Sequence, residues 1–532
     1  MDRKIRLRVA SIVAFLFSLC FLVGQSYDKL GSWQLIKESP VLSAVKFCAV
    51  LAAAFVIINL LYKTVGFISS NRQVPNHLVK YIFDKKPFIF PWIVIIIFWL
   101  PNFLLYLPGC LTVDAMKQLE QFFTGELTNH HPILTTMIEG MFVLLGKALG
   151  NIEIGIAVYL GLIFIVSSSI FALGFKWMYQ HKVSYKIRWI GLLYFCLFPL
   201  WSSYARTLVK DSLYYPIYFL FILCSLDIVL EKGSYFDHGK KIIKFFIVCV
   251  LLCLVRHNGI YVIMATIPGI IYFCKRNRRR VCLLFVFLIA FWEIYGLTIS
   301  ALGIRPGGKQ EMLSIPFQQT ARYVKYHGKE INGKEKQVIN NVLDFEKLAV
   351  NYDPNISDPV KNTYKKQDKY LADYFKVWGR QFLKHPATYI QATLNGTYGY
   401  YSYKKEIKYP YGYYKQPVSS ELYQTKYRIE YVEGFKSQRA AYEAILQRIF
   451  EHTPLKLLTQ PMLYNWIYII LFGFFIQNRK LRRYWILFIP FFVSFFICIA
   501  SPVNGDIRYM LPICSTWILY IGFINNRLIE RG

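Results

Sequence analysis

A chain of 532 residues that is 55% hydrophobic and 18% aromatic, with a mean hydropathy of +0.34, is too apolar for an ordinary soluble protein. Its formal charge of +31 does not signal nucleic acid, because much of the excess sits in short loops between apolar runs: Lys85-Lys86, KRNRRR at 275–280 and RKLRR at 479–483. That is the pattern of cytoplasmic-side loops facing anionic lipid.

In chain order, the basic start MDRKIRLR precedes an apolar run at 9–24 with no convincing small-residue cleavage site, so a retained helix is expected. A span at 41–62, a basic inner segment at 63–87 and a span at 88–107 deliver the polar loop 108–132 to the outer face. Ile133–Gly150 is apolar but short and carries Glu139 and Lys147, which predicts a re-entrant or in-plane helix; a full crossing would reverse the parity of every later loop. Spans at 152–173, 187–201, 213–230, 243–256, 259–274 and 281–302 follow. A polar insert of domain size occupies 303–461, and spans at 462–477, 485–500 and 509–525 complete the chain. The predicted fold class is an all-α polytopic membrane protein with about 12–13 transmembrane helices. Its expected parts are an N-terminal transmembrane module (1–302) with the outer loop 108–132, an extracellular, mainly α domain (303–461), and a C-terminal three-helix module (462–532).

Within the insert, Tyr370–Leu383 and Ser437–Phe450 read as helices. The Tyr-rich run TYGYYSYKKEIKYPYGYY at 397–414 reads as a membrane-interface segment or as a sugar-stacking platform. All eleven cysteines lie in or beside apolar runs and none in 303–461, so no disulfide framework is expected.

Four polar clusters end apolar spans on the same predicted side: the 108–132 loop, Arg206/Lys210/Asp211, Arg256-His257-Asn258, and Asn504/Asp506/Arg508. Cations there can snorkel to the interface, but their convergence on one side runs against the positive-inside trend. Arg and Lys at such helix ends suit a lipid phosphate, which makes Arg206, Lys210, Arg256 and Arg508 candidate substrate-binding residues. Asp114 is the candidate general base, with a helix N-terminal acid as the plainer alternative. Glu120, His130, His131, Asp211, His257, Glu311 and Asp506 are candidate accessory residues. His130-His131-Pro132 reads as a hydrogen-bonded turn in preference to a metal pair, because no companion Cys/His cluster accompanies it. No cofactor is expected with certainty; a divalent cation, Mg or Mn, held loosely near Asp114 is the one candidate. Residues 305–323, RPGGKQEMLSIPFQQTARY, read as a lid or docking strap over the site, not as a phosphate loop.

The acidic outer loop, the stretch HHPILTTMIEGMFVLLGKALG and the many spans with an external domain resemble the GT-C superfamily of integral-membrane glycosyltransferases, in particular its protein mannosyltransferase and aminoarabinose transferase branch. The phrases RTLVKDS, RHNGIY, LSIPFQQTARY, YDPNISDPVK and SPVNGDIRYMLPI resemble an uncharacterised family of Gram-positive multi-pass membrane proteins. The resemblance implies a catalytic acid at Asp114 and lipid-phosphate cations at Arg206, Lys210 and Arg256. It departs from the pattern in lacking a second acid beside Asp114, in having Ile133 where a second proline would stand, and in placing three spans before the loop.

The expected function is therefore inverting transfer of a hexosyl or pentosyl group from a polyprenyl-phosphate-linked donor to a cell-envelope glycan, teichoic acid or protein, in a bacterial cell membrane. A lipid-linked glycan polymerase or ligase, and a polysaccharide or lipid transporter (flippase), are the competing expectations. A transporter would carry its charges deep in broken spans, whereas here they cluster at span ends.

Overall fold

The computed structural model describes residues 3–70, 83–405 and 430–529, and over these the protein is almost wholly α-helical. Among the described residues, seven helices are long and apolar enough to cross a bilayer: Arg3–Leu30, Pro40–Thr64, Ile152–Gln180, Lys210–Leu230, Arg278–Ala301, Arg482–Ile499 and Ile507–Leu528. Three shorter apolar helices, Ile89–Leu105, Gly259–Phe273 and Pro461–Gln477, accompany them. The remaining two predicted spans are helical but less suited to lipid. The one at 187–201 is split into Tyr185–Leu197 and Pro199–Ala205, because Pro199 supplies no N–H to continue the first helix. The one at 243–256 belongs to Gly239–Val255, whose first turns carry Lys240, Lys241 and Lys244.

Burial sorts these helices into layers. In the apolar windows of Pro40–Thr64 and Arg278–Ala301 only 17% of residues are buried, and their outward faces carry Val41, Val45, Phe287, Ile294 and Leu297. Such faces are stable only against lipid. In Lys210–Leu230 and Ile507–Leu528 the share is 78%, so these two helices form the centre and pack on each other. These apolar outward faces and long apolar helices mark an all-α membrane protein.

Ile133–Ala148 is a 16-residue helix, about 24 Å long at 1.5 Å per residue, and too short to cross a bilayer alone. It folds back on Ile152–Gln180, whose start is capped by the Asn151 side chain at 2.8 Å from the Glu153 N–H. Glu139 faces inward and is fully buried.

The polar region has its own small core, built from Phe317, Ala321, Ile339, Leu348, Val360 and Tyr374. The two helices expected there are Leu371–Lys384 and Lys436–His452. Of the Tyr-rich run, Tyr398 and Tyr400 are buried: Tyr398 donates to Asp28 at 3.0 Å and Tyr400 to the Val503 carbonyl at 2.8 Å. They clamp the first helix and the 501–506 turn and present no face for sugar stacking; residues 406–414 lie outside the described residues. All eleven cysteines are free thiols.

Candidate functional site: an ion-pair chain at the end of the central helices

Two short parallel ladders assemble the site. Strand β1 (Cys110–Leu111) and β2 (Thr128–Asn129) lie in the 108–132 loop; β3 (Thr207–Leu208) precedes the central helix Lys210–Leu230, and β4 is Arg305–Pro306. β1 pairs with β3, Cys110 opposite Thr207 and Leu111 opposite Leu208, while β2 pairs with β4. Each strand of the first pair runs directly into a helix. Thr112 secures that junction twice: its hydroxyl accepts from the Ala115 N–H at 3.1 Å as an N-cap and donates to the Leu208 carbonyl at 3.2 Å. The 305–323 segment, expected as a lid or docking strap, joins the loop through β2·β4 at its first two residues.

Asp114 and Asp211 consequently enter the first turns of two neighbouring helices, where the exposed backbone N–H groups favour an anion. Three cations join them: Lys210 from the same turn as Asp211, and Arg256 and Arg508 from two further segments. Arg508, in the first turn of the other central helix, donates from Nη2 to Asp114 Oδ2 at 2.5 Å and from Nε to Asp211 Oδ2 at 2.6 Å. Arg256, from the turn between Gly239–Val255 and Gly259–Phe273, reaches Asp211 Oδ1 at 2.8 Å. Lys210 Nζ lies 3.3 Å from Asp114 Oδ2 and 2.8 Å from His131 Nδ1. Three cations against two carboxylates give these joined side chains one net positive charge.

The chain is graded in exposure. The Asp114 side chain is 29% exposed and Asp211 only 1%, with Lys210 and Arg508 between them at 15% and 16%. Asp114 is thus the more open of the two carboxylates, and Asp211 lies behind it. Burial by itself pushes the Asp114 carboxyl up, but the Lys210 and Arg508 charges outweigh it and hold the group well below the usual carboxylate range. His131 is held neutral by burial and by the Lys210 charge, so its Nδ1 accepts from the ammonium. That acceptor role requires the tautomer protonated at Nε2.

The other sequence candidates are placed as follows. Arg206 is buried away from this chain: it donates to Asn102 Oδ1 at 2.9 Å and to Cys110 Sγ at 2.7 Å, and its guanidinium lies 3.7 Å over the Tyr106 ring. His257 lies 3.1 Å from the Asn129 carbonyl and so pins β2; burial lowers it to about 4. Asp506 accepts from the Arg508 N–H at 2.9 Å, capping the helix that carries Arg508. Glu311 pairs with Lys361 at 2.6 Å, Glu120 is exposed, and His130 packs edge-on against the His131 ring.

Glu139 was legible only as an acid in an apolar segment. Both of its carboxyl oxygens are buried without a hydrogen-bond partner among the described residues, and burial pushes it up to about 8 despite the Lys210 charge. The donor set around Asp114 does not suit a resident Mg or Mn ion. Such hard cations take several carboxylate or carbonyl oxygens, and here each aspartate already faces two protein cations.

An all-helical membrane protein with an ion-pair chain at one end of its innermost helices is the class that fold and site define. A family model described as a family of unknown function, DUF6020, matches residues 123–527, and the chain belongs to that family. Lys210, Asp211, Arg256 and Arg508 fall within the matched stretch, while Asp114 precedes it. No curated protein and no solved structure matches the chain.

Proposed function

We propose that this protein is a GT-C-like glycosyltransferase of a bacterial, Gram-positive cell membrane. In this reading it moves a sugar from a polyprenyl-phosphate donor to a cell-envelope acceptor (a glycan, a teichoic acid or a protein) at the outer face, with residues 303–461 outside the cell. The observation that carries it is the joining of Asp114 to Lys210, Arg508, Asp211 and Arg256 across segments almost four hundred residues apart, in a net-positive, partly open cluster at the ends of membrane helices. A phosphate whose lipid tail lies along the bundle would meet cations there without leaving the membrane plane.

The chemistry follows from the pairing. An aspartate clasped by two cations is a weak base, so Asp114 is inactive as a base while Lys210 and Arg508 hold it. The donor phosphate competes for those cations, and as they turn to it the proton affinity of Asp114 rises. The acceptor hydroxyl then gives its proton to Asp114, and its oxygen attacks the anomeric carbon. The bond from that carbon to the phosphate oxygen breaks with its electron pair, and Lys210, Arg508 and Arg256 stabilise the charge gathering on the leaving phosphate. Attack opposite the leaving group inverts the anomeric centre. Asp211 keeps Arg508 and Arg256 aimed throughout.

Transfer of a radiolabelled sugar from polyprenyl phosphate in proteoliposomes tests this reading. Wild type is expected to label the acceptor and Asp114→Asn to fall by about 10³-fold or more, the scale of losing a positioned base. Equal transfer by the two proteins would refute the assignment.

A further inference from the structure

Far in sequence from the ion-pair chain, two histidines and a glutamate meet in the polar region. His327 ends the helix Ser314–His327, Glu330 closes the next turn, and His385 sits at the junction of Leu371–Lys384 and Pro386–Thr397. His327 Nδ1 is 2.9 Å from Glu330 Oε1, and His385 Nε2 is 2.9 Å from Glu330 Oε2. One ligand atom from each of the three lies within 4.8 Å of the others. The two imidazoles stack with centroids 3.8 Å apart, and Tyr323 flanks both rings at 5.2 and 5.7 Å.

We propose that His327, Glu330 and His385 form a binding site for a transition-metal dication of the zinc class. Two neutral imidazoles and one carboxylate are the donor set that zinc takes with an open fourth position. In a tetrahedral site ligand atoms stand about 3.3 Å apart, given metal–ligand bonds of about 2.0–2.1 Å; the two histidine–glutamate separations of 2.9 Å open by a few tenths of an ångström, and the stacked rings, 18° from parallel, turn so that both in-plane lone pairs meet the ion. His327 also has the outer support such ligands use: its far nitrogen, Nε2, lies 2.9 Å from the hydroxyl of Thr388, which is buried.

One group opposes the metal. Lys384 Nζ lies 2.7 Å from Glu330 Oε2, on the oxygen His385 also faces. It must swing away on binding, and Glu335, whose charge already acts on Lys384, is the carboxylate that receives it. This competition separates a metal site from a purely structural ion-pair cluster.

The site stands apart from the transferase reading and is tested without it. Full-length, tag-free protein in detergent is titrated with Zn²⁺ by calorimetry, with Co²⁺ absorption as a second probe of coordination. One ion per chain is expected, with a tetrahedral Co²⁺ spectrum. His327→Ala and His385→Ala should each weaken binding by about 100-fold or more, and Thr388→Val by about 10-fold. Lys384→Ala should tighten it several-fold. No saturable binding below about 1 mM Zn²⁺, or unchanged affinity in both histidine variants, overturns the proposal. So does weaker binding by Lys384→Ala, which would mean that the lysine holds the cluster together instead of competing for it.

Discussion

Asp114 and Asp211 occupy equivalent places in two strand–helix junctions: each lies three residues beyond a partner in the pair Leu111↔Leu208, in the first turn of the helix that follows. Arg508 spans the two, one nitrogen of its guanidinium on each carboxylate. The short parallel ladder therefore does more than join two loops. It sets the spacing between two acids so that one planar fork can hold both.

Arg508→Lys tests that spacing. A lysine ammonium is a single point and cannot place donors on two carboxylates in one plane. Sugar transfer is expected to drop by about 10²-fold, with helical circular dichroism unchanged. Undiminished transfer would mean that the bridge has no part in the reaction.

Asp114→Asn is expected to lower stability as well as activity, in a pH-dependent way. The folded-state carboxyl is held below its ordinary value, so its contribution is present above the unfolded value of about 3.9 and is lost as pH falls below that. Wild type should exceed the variant by about 1–2 kcal/mol at pH 7, a modest figure because the side chain is 29% exposed and partly screened. Thermal midpoints in detergent should show a gap that is flat from pH 8 to 5 and narrows toward pH 3. A gap that widens on acidification contradicts the assignment.

Glu139→Gln should behave in the opposite sense. Burial raises the folded-state carboxyl to about 8, so its favourable contribution is complete below about pH 4.5 and is lost as pH rises to about 8. The glutamine variant should therefore gain on wild type by about 1.4 kcal/mol per pH unit at most between those limits and stay level above them. Parallel stability curves for the two proteins from pH 5 to 8 would show that the acid is not held neutral.

Arg206→Ala separates structure from substrate binding. The guanidinium is committed to Asn102, Cys110 and the Tyr106 face, and these lose partners when it goes. A loss of about 3–5 kcal/mol in stability is expected, seen as a lower thermal midpoint and yield. Any residual folded protein should bind a polyprenyl-phosphate analogue with unchanged affinity. A stable variant with selectively weakened binding would return Arg206 to the phosphate site.

Much of this protein was legible in its sequence. Apolar runs of about 20 residues and basic loops identify membrane helices, because lipid tolerates few other arrangements of backbone and charge. The same logic marked Asp114, Lys210, Arg256 and Arg508 as polar groups at span ends. It could not separate Arg206 from them, since Arg206 and Lys210 stand four residues apart in RTLVKDS and look alike as text. Only the fold decided that the first is turned into a buried aromatic and amide setting and the second toward Asp114, because β3 interrupts the helix that would have put them on one face. His131 likewise became a partner of Lys210 through packing between distant segments, and His385 joins the local pair His327 and Glu330, three residues apart, only through folding. Local composition determined which segments enter the membrane; which charges meet was decided by register and helix packing, contacts between residues up to 394 positions apart that a linear pattern does not encode.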